Sequence, residues 1–258
     1  MGAELLVIGI DAATWAIIDR HLDKLKTFKM LKTHKEYKSK VLTLDQKPYS
    51  APCWVSIFSG KTEEEHRHHE FVVDNEIQTR DDIKVDFIWD ILKRTGKKVK
   101  ALNVPFIVPP YNFNINFEAP GLGIPSNREE WDAEIAEVTN RAIETLRNEN
   151  LDLFVVCYVS LDKLQHFHWG EKIVEEYYEK IDETIDKLIS FGKKLIIISD
   201  HGFCAFGEAK IQTLPRITKD GTELKGDHHE NAVLITKNIK TEINNLRDVF
   251  KAIKEVFK

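Results

Sequence analysis

Leu195-Ile196-Ile197-Ile198-Ser199-Asp200-His201-Gly202-Phe203 is the stretch on which the fold turns. An apolar run stops at Ser199 and is followed at once by an acid, an imidazole and a glycine. An unbroken run of this kind predicts a strand buried on both faces, as in parallel sheets. Asp200 and His201 then stand at its carboxyl end, the edge where open α/β sheets bind ligands. An oxygen donor beside a nitrogen donor suits zinc. The competing reading is a strand that ends in an ordinary polar turn.

The same design recurs along the chain. Leu5 to Ile10 is a buried-strand run ending at Asp11, which also reads as a helix N-cap. Leu151 to Val159 is a third run, followed by Ser160-Leu161-Asp162-Lys163-Leu164-Gln165-His166. On a helix, Asp162 and His166 share a face and can share a cation, whereas His168 points elsewhere. Pro52 fits the first turn of a helix that runs to Gly60. Ser50 is expected just before that helix, as its N-cap or as a nucleophile in the field of the helix N-terminus. Gly226-Asp227-His228-His229 leads into one more strand.

The remaining pattern alternates helices and strands. Helices are expected over 85–95 with Gly96 as the stop, over 126–147 with Ser126 and Glu129 as a capping box, over 173–188, and over 246–257. Short strands are expected over 41–44 and 98–103, with 104–110 an extended loop. His66, His68 and His69 cluster in a loop and read mainly as solvated. No repeat and no Pro/Gly/Ser linker divides the chain, so residues 1–258 are expected to form one three-layer α/β/α domain around a mostly parallel sheet.

Composition narrows the classes. The 258 residues carry 37 basic and 42 acidic side chains, a formal charge of −5, which argues against a nucleic-acid binder. The three cysteines, Cys53, Cys157 and Cys204, show no CxxC spacing and read as free thiols in a reducing compartment. No apolar run reaches the roughly 18 residues of a membrane span, and no leader-type segment opens the chain. A cytoplasmic protein without a membrane partner is the expectation.

In a parallel sheet all carboxyl ends lie on one edge, so Asp11, Asp162 and Asp200 can converge. His166, His201 and either His228 or His229 come with them, and Ser50 faces the same edge. Such a set suffices for two divalent ions, which can polarise a phosphoryl oxygen and lower the serine pKa.

The order of these motifs resembles the alkaline phosphatase superfamily, and within it the type I phosphodiesterase/nucleotide pyrophosphatase family. The matching pieces are Ile8-Gly9-Ile10-Asp11, Ser50-Ala51-Pro52 through Ser59-Gly60, Glu65-His66, Trp89-Asp90-Ile91-Leu92, Gly96-Lys97-Lys98-Val99, Asn103-Val104-Pro105, Pro109-Pro110, Asp162-x-x-x-His166, Ser199-Asp200-His201-Gly202 and Gly226-x-His228. The resemblance implies an alkaline-phosphatase-like core without a large cap insertion. It implies one ion held by Asp11, Ser50, Asp200 and His201, and another held by Asp162, His166 and His228. Zinc is the ion it points to, with manganese or iron as alternatives. Ser50 would attack phosphorus and carry a covalent intermediate that water releases. The implied substrate is a small phosphoester or nucleotide.

Two departures matter. Arg67-His68 replaces the family's usual Gly-Ile after the histidine, and Phe71 stands where eukaryotic members place a phosphoryl-binding asparagine. Arg67, His68 or the backbone N–H groups of Cys53 and Trp54 are the candidate substitutes. The competing functions are a phosphomonoesterase of the same superfamily and a degenerate, non-catalytic metal or nucleotide binder. A mutase would need a large insertion after Ser50, and a sulfatase would need arginine where Trp54 stands.

Overall fold

The computed structural model describes residues 1–258. In chain order the strands are β1 (Gly2–Ile10), β2 (Tyr37–Thr43), β3 (Val72–Val73), β4 (Glu76–Ile77), β5 (Val99–Val104), β6 (Tyr111–Phe113), β7 (Asn150–Tyr158), β8 (Gly192–Ile198), β9 (Gly202–Ala205), β10 (Gly226–His229) and β11 (Asn231–Lys237). The helices are α1 (Trp15–Ile18), α2 (Lys26–Thr33), α3 (Ser50–Ser59), α4 (Glu63–His66), α5 (Ile88–Arg94), α6 (Arg128–Asn148), α7 (Ser160–His168), α8 (Lys172–Ile189) and α9 (Asp248–Val256).

Seven strands form the central sheet in the order β2-β11-β8-β1-β7-β5-β6. Strands β5, β7, β1 and β8 run parallel, and β11 and β6 run antiparallel to their inner neighbours. The parallel core is the part the sequence predicts, because it is covered on both faces and needs apolar residues at every position. Alternate residues serve opposite layers: Leu6, Ile8, Phe154, Val156, Leu195 and Ile197 pack on one side. Leu5, Val7, Leu153, Val155, Ile196 and Ile198 pack on the other. Helices α2, α6 and α8 cover the first face, and α3, α5 and α9 the second. Each buried aliphatic side chain contributes about 1.5–3 kcal/mol relative to exposure, so these layers carry most of the stabilisation.

Several boundaries differ from the sequence-based expectation. Ser50 is the first residue of α3, Tyr49 is its N-cap, and no side chain caps it, so the serine hydroxyl is not spent as a cap. Asp11 is no cap either: Thr14 caps α1, and Ala12 between them adopts φ 60°. The α6 cap is Asn127, accepting from the Glu130 N–H, one residue beyond the expected Ser126–Glu129 pair. Ser126 instead donates its own N–H to Glu130. Helix α5 starts only at Ile88, because the Asp90 carboxylate accepts from the Phe87 N–H and fixes the chain there. Strand β2 begins at Tyr37, within the lysine-rich stretch, since as an edge strand it needs only alternate buried positions. Antiparallel pairings β3–β4, β5–β6 and β9–β10 add to the strands expected from sequence.

Two glycines permit close approaches that shape the functional edge. A Cβ on Gly9 would meet Cys157 Sγ at 2.5 Å and the Trp54 ring at 2.6 Å, so only glycine lets that indole lie across β1. A Cβ on Gly202 would meet the Asn231 carbonyl oxygen at 2.0 Å, which keeps β11 tight beneath His201. The three cysteines are buried and unpaired. No helix is long and apolar enough to cross a membrane.

Candidate active site

The parallel register places Ile10 beside Tyr158 and Gly9 beside Ile198, so β1, β7 and β8 end together. The chain delivers Asp11, α7 and Asp200 to this edge within one layer of the sheet. Helix α3 enters from the second face and sets Ser50 against them. The Ser50 Oγ lies 3.1 Å from His201 Nε2 and 3.4 Å from Asp11 Oδ1. Trp54, one turn further along α3, donates its indole N–H to Asp11 Oδ2 at 3.0 Å.

Each of the three imidazoles facing the site is oriented by a backbone carbonyl. His201 Nδ1 lies 2.9 Å from the Gly202 oxygen, His166 Nδ1 3.1 Å from the Gly226 oxygen, and His228 Nδ1 2.6 Å from the Pro48 oxygen. Carbonyls only accept, so each Nδ1 carries a proton, and in the neutral imidazole each Nε2 presents a lone pair inward. The lone pairs then face other acceptors. His166 Nε2 lies 2.9 Å from His228 Nε2, and Asp162 Oδ1 lies 3.3 and 3.1 Å from the two. His201 Nε2 lies 3.3 Å from Asp200 Oδ2 and 3.6 Å from Asp11 Oδ1.

The electrostatics follow from that crowding. Burial, then the charges of Asp200 and Asp162, pushes the Asp11 carboxyl well above the usual carboxylate range. Burial raises Asp200 to about 7 against the Ala12 N–H that it accepts. Burial lowers His201 and His228 to about 4 each, with His201 adding to the effect on His228. Burial also opposes ionisation of Asp162, but His166 and His228 hold it well below its ordinary value. Without a counter-charge, most of these groups favour their neutral forms.

The arrangement fits a cation by its own geometry. Asp200 Oδ2 is buried without a hydrogen-bond partner. Asp162, His166 and His228 bring their donor atoms within 4.8 Å of one another, and so do Asp11, Asp162 and His201. Asp162 therefore belongs to both groups and lies between them. Oxygen and imidazole nitrogen donors, with each Nδ1 fixed by a carbonyl, are the set that zinc and its neighbours prefer.

Every residue expected at the edge is there: Asp11, Ser50, Asp162, His166, Asp200, His201 and His228. His229 points away and accepts from the Asn231 N–H at 3.1 Å, so the choice between the two adjacent histidines falls on His228. His66 is buried against Ser56 Oγ at 3.1 Å, and exposed His69 pairs with Glu63 at 2.7 Å. His68 is buried rather than solvated. Of the substitutes for the missing asparagine, Arg67 is exposed, and the Cys53 N–H already donates to the Tyr49 oxygen at 3.0 Å.

Supporting residues escaped the sequence. Gln165 donates to the Ala12 carbonyl and accepts from Tyr178, tying α7 and α8 to the β1 turn. Asp227 accepts from the Thr213 N–H and hydroxyl and from the His228 N–H. Glu134 accepts from Asn103, Val159 and Ser160 at the start of α7. A cleft of about 260 Å³ opens beside Ser50, Asp11 and Asp162, and Phe71 and Lys163 line it.

Carboxylates, imidazoles and a helix-terminal serine thus gather at the carboxyl edge of a mostly parallel α/β sheet. The family model for type I phosphodiesterase / nucleotide pyrophosphatase matches residues 5–256, and the chain belongs to that family. It is a family of metal-dependent phosphoryl-ester hydrolases. The fold is similar to that of phosphonoacetate hydrolase from Sinorhizobium meliloti 1021 in complex with phosphonoformate, with a TM-score of 0.70 at 13% identity, covering 98% of this chain and 96% of that one. It is also similar to murine ectonucleotide pyrophosphatase / phosphodiesterase 5, an inactive form in complex with AMP, with a TM-score of 0.64 at 12% identity, covering 98% and 94%. The human form gives 0.63 at 14% identity with the same coverages, 98% and 94%. These neighbours share the fold of this chain over nearly its whole length. No curated protein sequence matches the chain.

Proposed function

We propose that the protein is a two-metal phosphoryl-ester hydrolase of the phosphodiesterase/nucleotide pyrophosphatase type, acting through a covalent intermediate on Ser50. Asp11, Ser50, Asp200 and His201 would hold one divalent ion, and Asp162, His166 and His228 the other, with zinc the best fit to the donors. When bound, the ions would supply the positive charge these groups lack, lower the Ser50 pKa and polarise the phosphoryl oxygens.

The residues themselves account for the rest. Ser50 gives up its hydroxyl proton to solvent, Oγ forms the new bond to phosphorus as the bond to the leaving oxygen breaks, and the alcohol departs with a proton from solvent. Water then attacks the phosphoseryl group and restores the hydroxyl. As the first residue of α3, Ser50 sits where the helix leaves N–H groups unsatisfied, a field that favours an anion. Trp54 and the Ala12 N–H each hold one oxygen of Asp11 and Asp200, leaving the others for the ions.

The observation that carries this reading is the meeting of His166 and His228 by their unprotonated nitrogens beside a buried carboxylate and within the same edge as Ser50. The test is turnover of bis-p-nitrophenyl phosphate by purified protein supplied with zinc or manganese, against Ser50→Ala. Equal rates for the two proteins would sink it. The second reading, a non-catalytic metal or nucleotide binder, draws support from Phe71, an apolar side chain lining the cleft. It predicts bound metal without Ser50-dependent turnover.

A further inference from the structure

We propose that the cleft beside Ser50 selects a phosphoester with an apolar alkyl or aryl substituent, and that Lys163 is the cation that meets its anionic end. This rests on the hydrolase reading above and names its substrate class.

Three observations converge. First, the cleft is lined by Asp11, Ser50 and Asp162 themselves, so it offers room for a substituent on the attacked phosphorus. Apart from those three and Lys163, every lining side chain is apolar, Phe71, Ile107 and Val159 among them. Sugar hydroxyls or base edges would find no side-chain partners there, and each unpaired group weakens binding by roughly tenfold. Second, the mouth is apolar and open. Val72, Ile77 and Ile124 line the cleft and remain 46%, 51% and 43% exposed. Val72 and Ile77 are cross-strand partners in the β3–β4 hairpin, so their side chains share one face. An exposed apolar rim around a reactive centre marks a binding surface. Third, Lys163 is the only cation in this lining, and its ammonium pairs with no carboxylate of the protein. It follows Asp162 in α7, beside the phosphoryl position.

The other side of the site is different. His228 borders a second cleft of about 470 Å³ whose lining includes Asp45, Gln46, Lys47, Lys210 and Glu230. Beyond the reacting centre and Lys163, polar side chains line only that side, so the apolar arm is assigned to the Ser50 cleft.

The experiment compares two esters with one leaving group, p-nitrophenyl phenylphosphonate and p-nitrophenyl thymidine 5′-phosphate, on the metal-loaded protein. The expected kcat/KM ratio favours the phenylphosphonate by about tenfold, the loss assigned above to one unpaired group. Ile124→Asp, and Ile77→Asp as a second rim change, should each raise KM for the phenyl ester several-fold, with melting midpoints confirming that they fold. Lys163→Met should raise KM for both esters. A thymidine ester turned over as well as the phenyl ester, or rim variants with unchanged KM, would overturn the proposal. Turnover of neither ester by the parent protein would instead remove the hydrolase reading on which it stands.

Discussion

His166 and His228 approach each other through Nε2 atoms 2.9 Å apart, and each has its Nδ1 on a backbone carbonyl, of Gly226 and of Pro48. In the neutral imidazoles neither Nε2 has a proton to offer the other, and a cation between these atoms and Asp162 relieves the contact. The parent protein should therefore hold close to two divalent ions per chain, and His228→Ala close to one, by elemental analysis after dialysis. Chelation should lower the melting midpoint by about 5–10 °C, given roughly 3 kcal/mol of ligand stabilisation at moderate saturation. A melting curve indifferent to chelator would contradict this.

Trp54 and Gly9 form one device. The glycine leaves room for the indole, and the indole N–H neutralises one oxygen of buried Asp11. Trp54→Phe should cost about 1–3 kcal/mol of stability and lower activity by about 10–100-fold, the usual scale for a group that orients a ligand. Gly9→Ala should reproduce the activity defect with the indole intact, because its new Cβ displaces the ring. Denaturant melts and rates on the same preparations check both.

Glu134 sets a pH dependence. Burial raises its carboxyl from 4.5 to about 7 despite three donors. Between those values the folded protein binds the extra proton and the unfolded chain does not. Stability from this group is thus full below about pH 4.5 and is lost as pH rises through 7, by about 3 kcal/mol. Glu134→Gln keeps an oxygen for Asn103 and Val159 and offers an N–H to Ser160, so its urea stability should fall less between pH 5 and pH 7.5 than the parent's. Parallel profiles would show that Glu134 is not the source.

Asp227 ties the segment between β9 and β10 to the site through Thr213, and Tyr49 adds a hydrogen bond to the Thr213 oxygen at 3.2 Å. Asn at this position has one acceptor oxygen where three donors now converge. Asp227→Asn should speed proteolytic cutting within residues 206–225 and weaken metal retention, because His228 follows in the same strand. Mass spectrometry of limited digests reads the first effect, and an unchanged cutting rate would refute the anchoring role.

What could be read from residues alone was what burial writes into composition. Strands β1, β7 and β8 are covered on both faces, so their runs are apolar throughout and their ends stand out at Asp11, Ser160 and Asp200. The Asp162–His166 spacing carries its own geometry, because a helix repeats every 3.6 residues. The short pairings were less legible. Asp74 and Asn75 adopt φ 52° and 66°, the left-handed pair of a tight hairpin, and that dipeptide between two valines and Glu76-Ile77 was the available signal. Strands β6, β9 and β10 carry no such mark, being only three or four residues long.

By itself the sequence determined the layer architecture and the candidate donor residues in their order, since alternation, strand ends and helical spacing are local properties of a chain. The tertiary structure decided the rest. It chose His228 over His229, because one strand residue faces the site and the next faces away. It buried His66 against Ser56, freed the Ser50 hydroxyl from capping, and brought Trp54 to Asp11 and Lys163 to the cleft. Most of these are contacts between segments far apart in the chain, set by how sheet and helices pack, and no run of neighbouring residues encodes them.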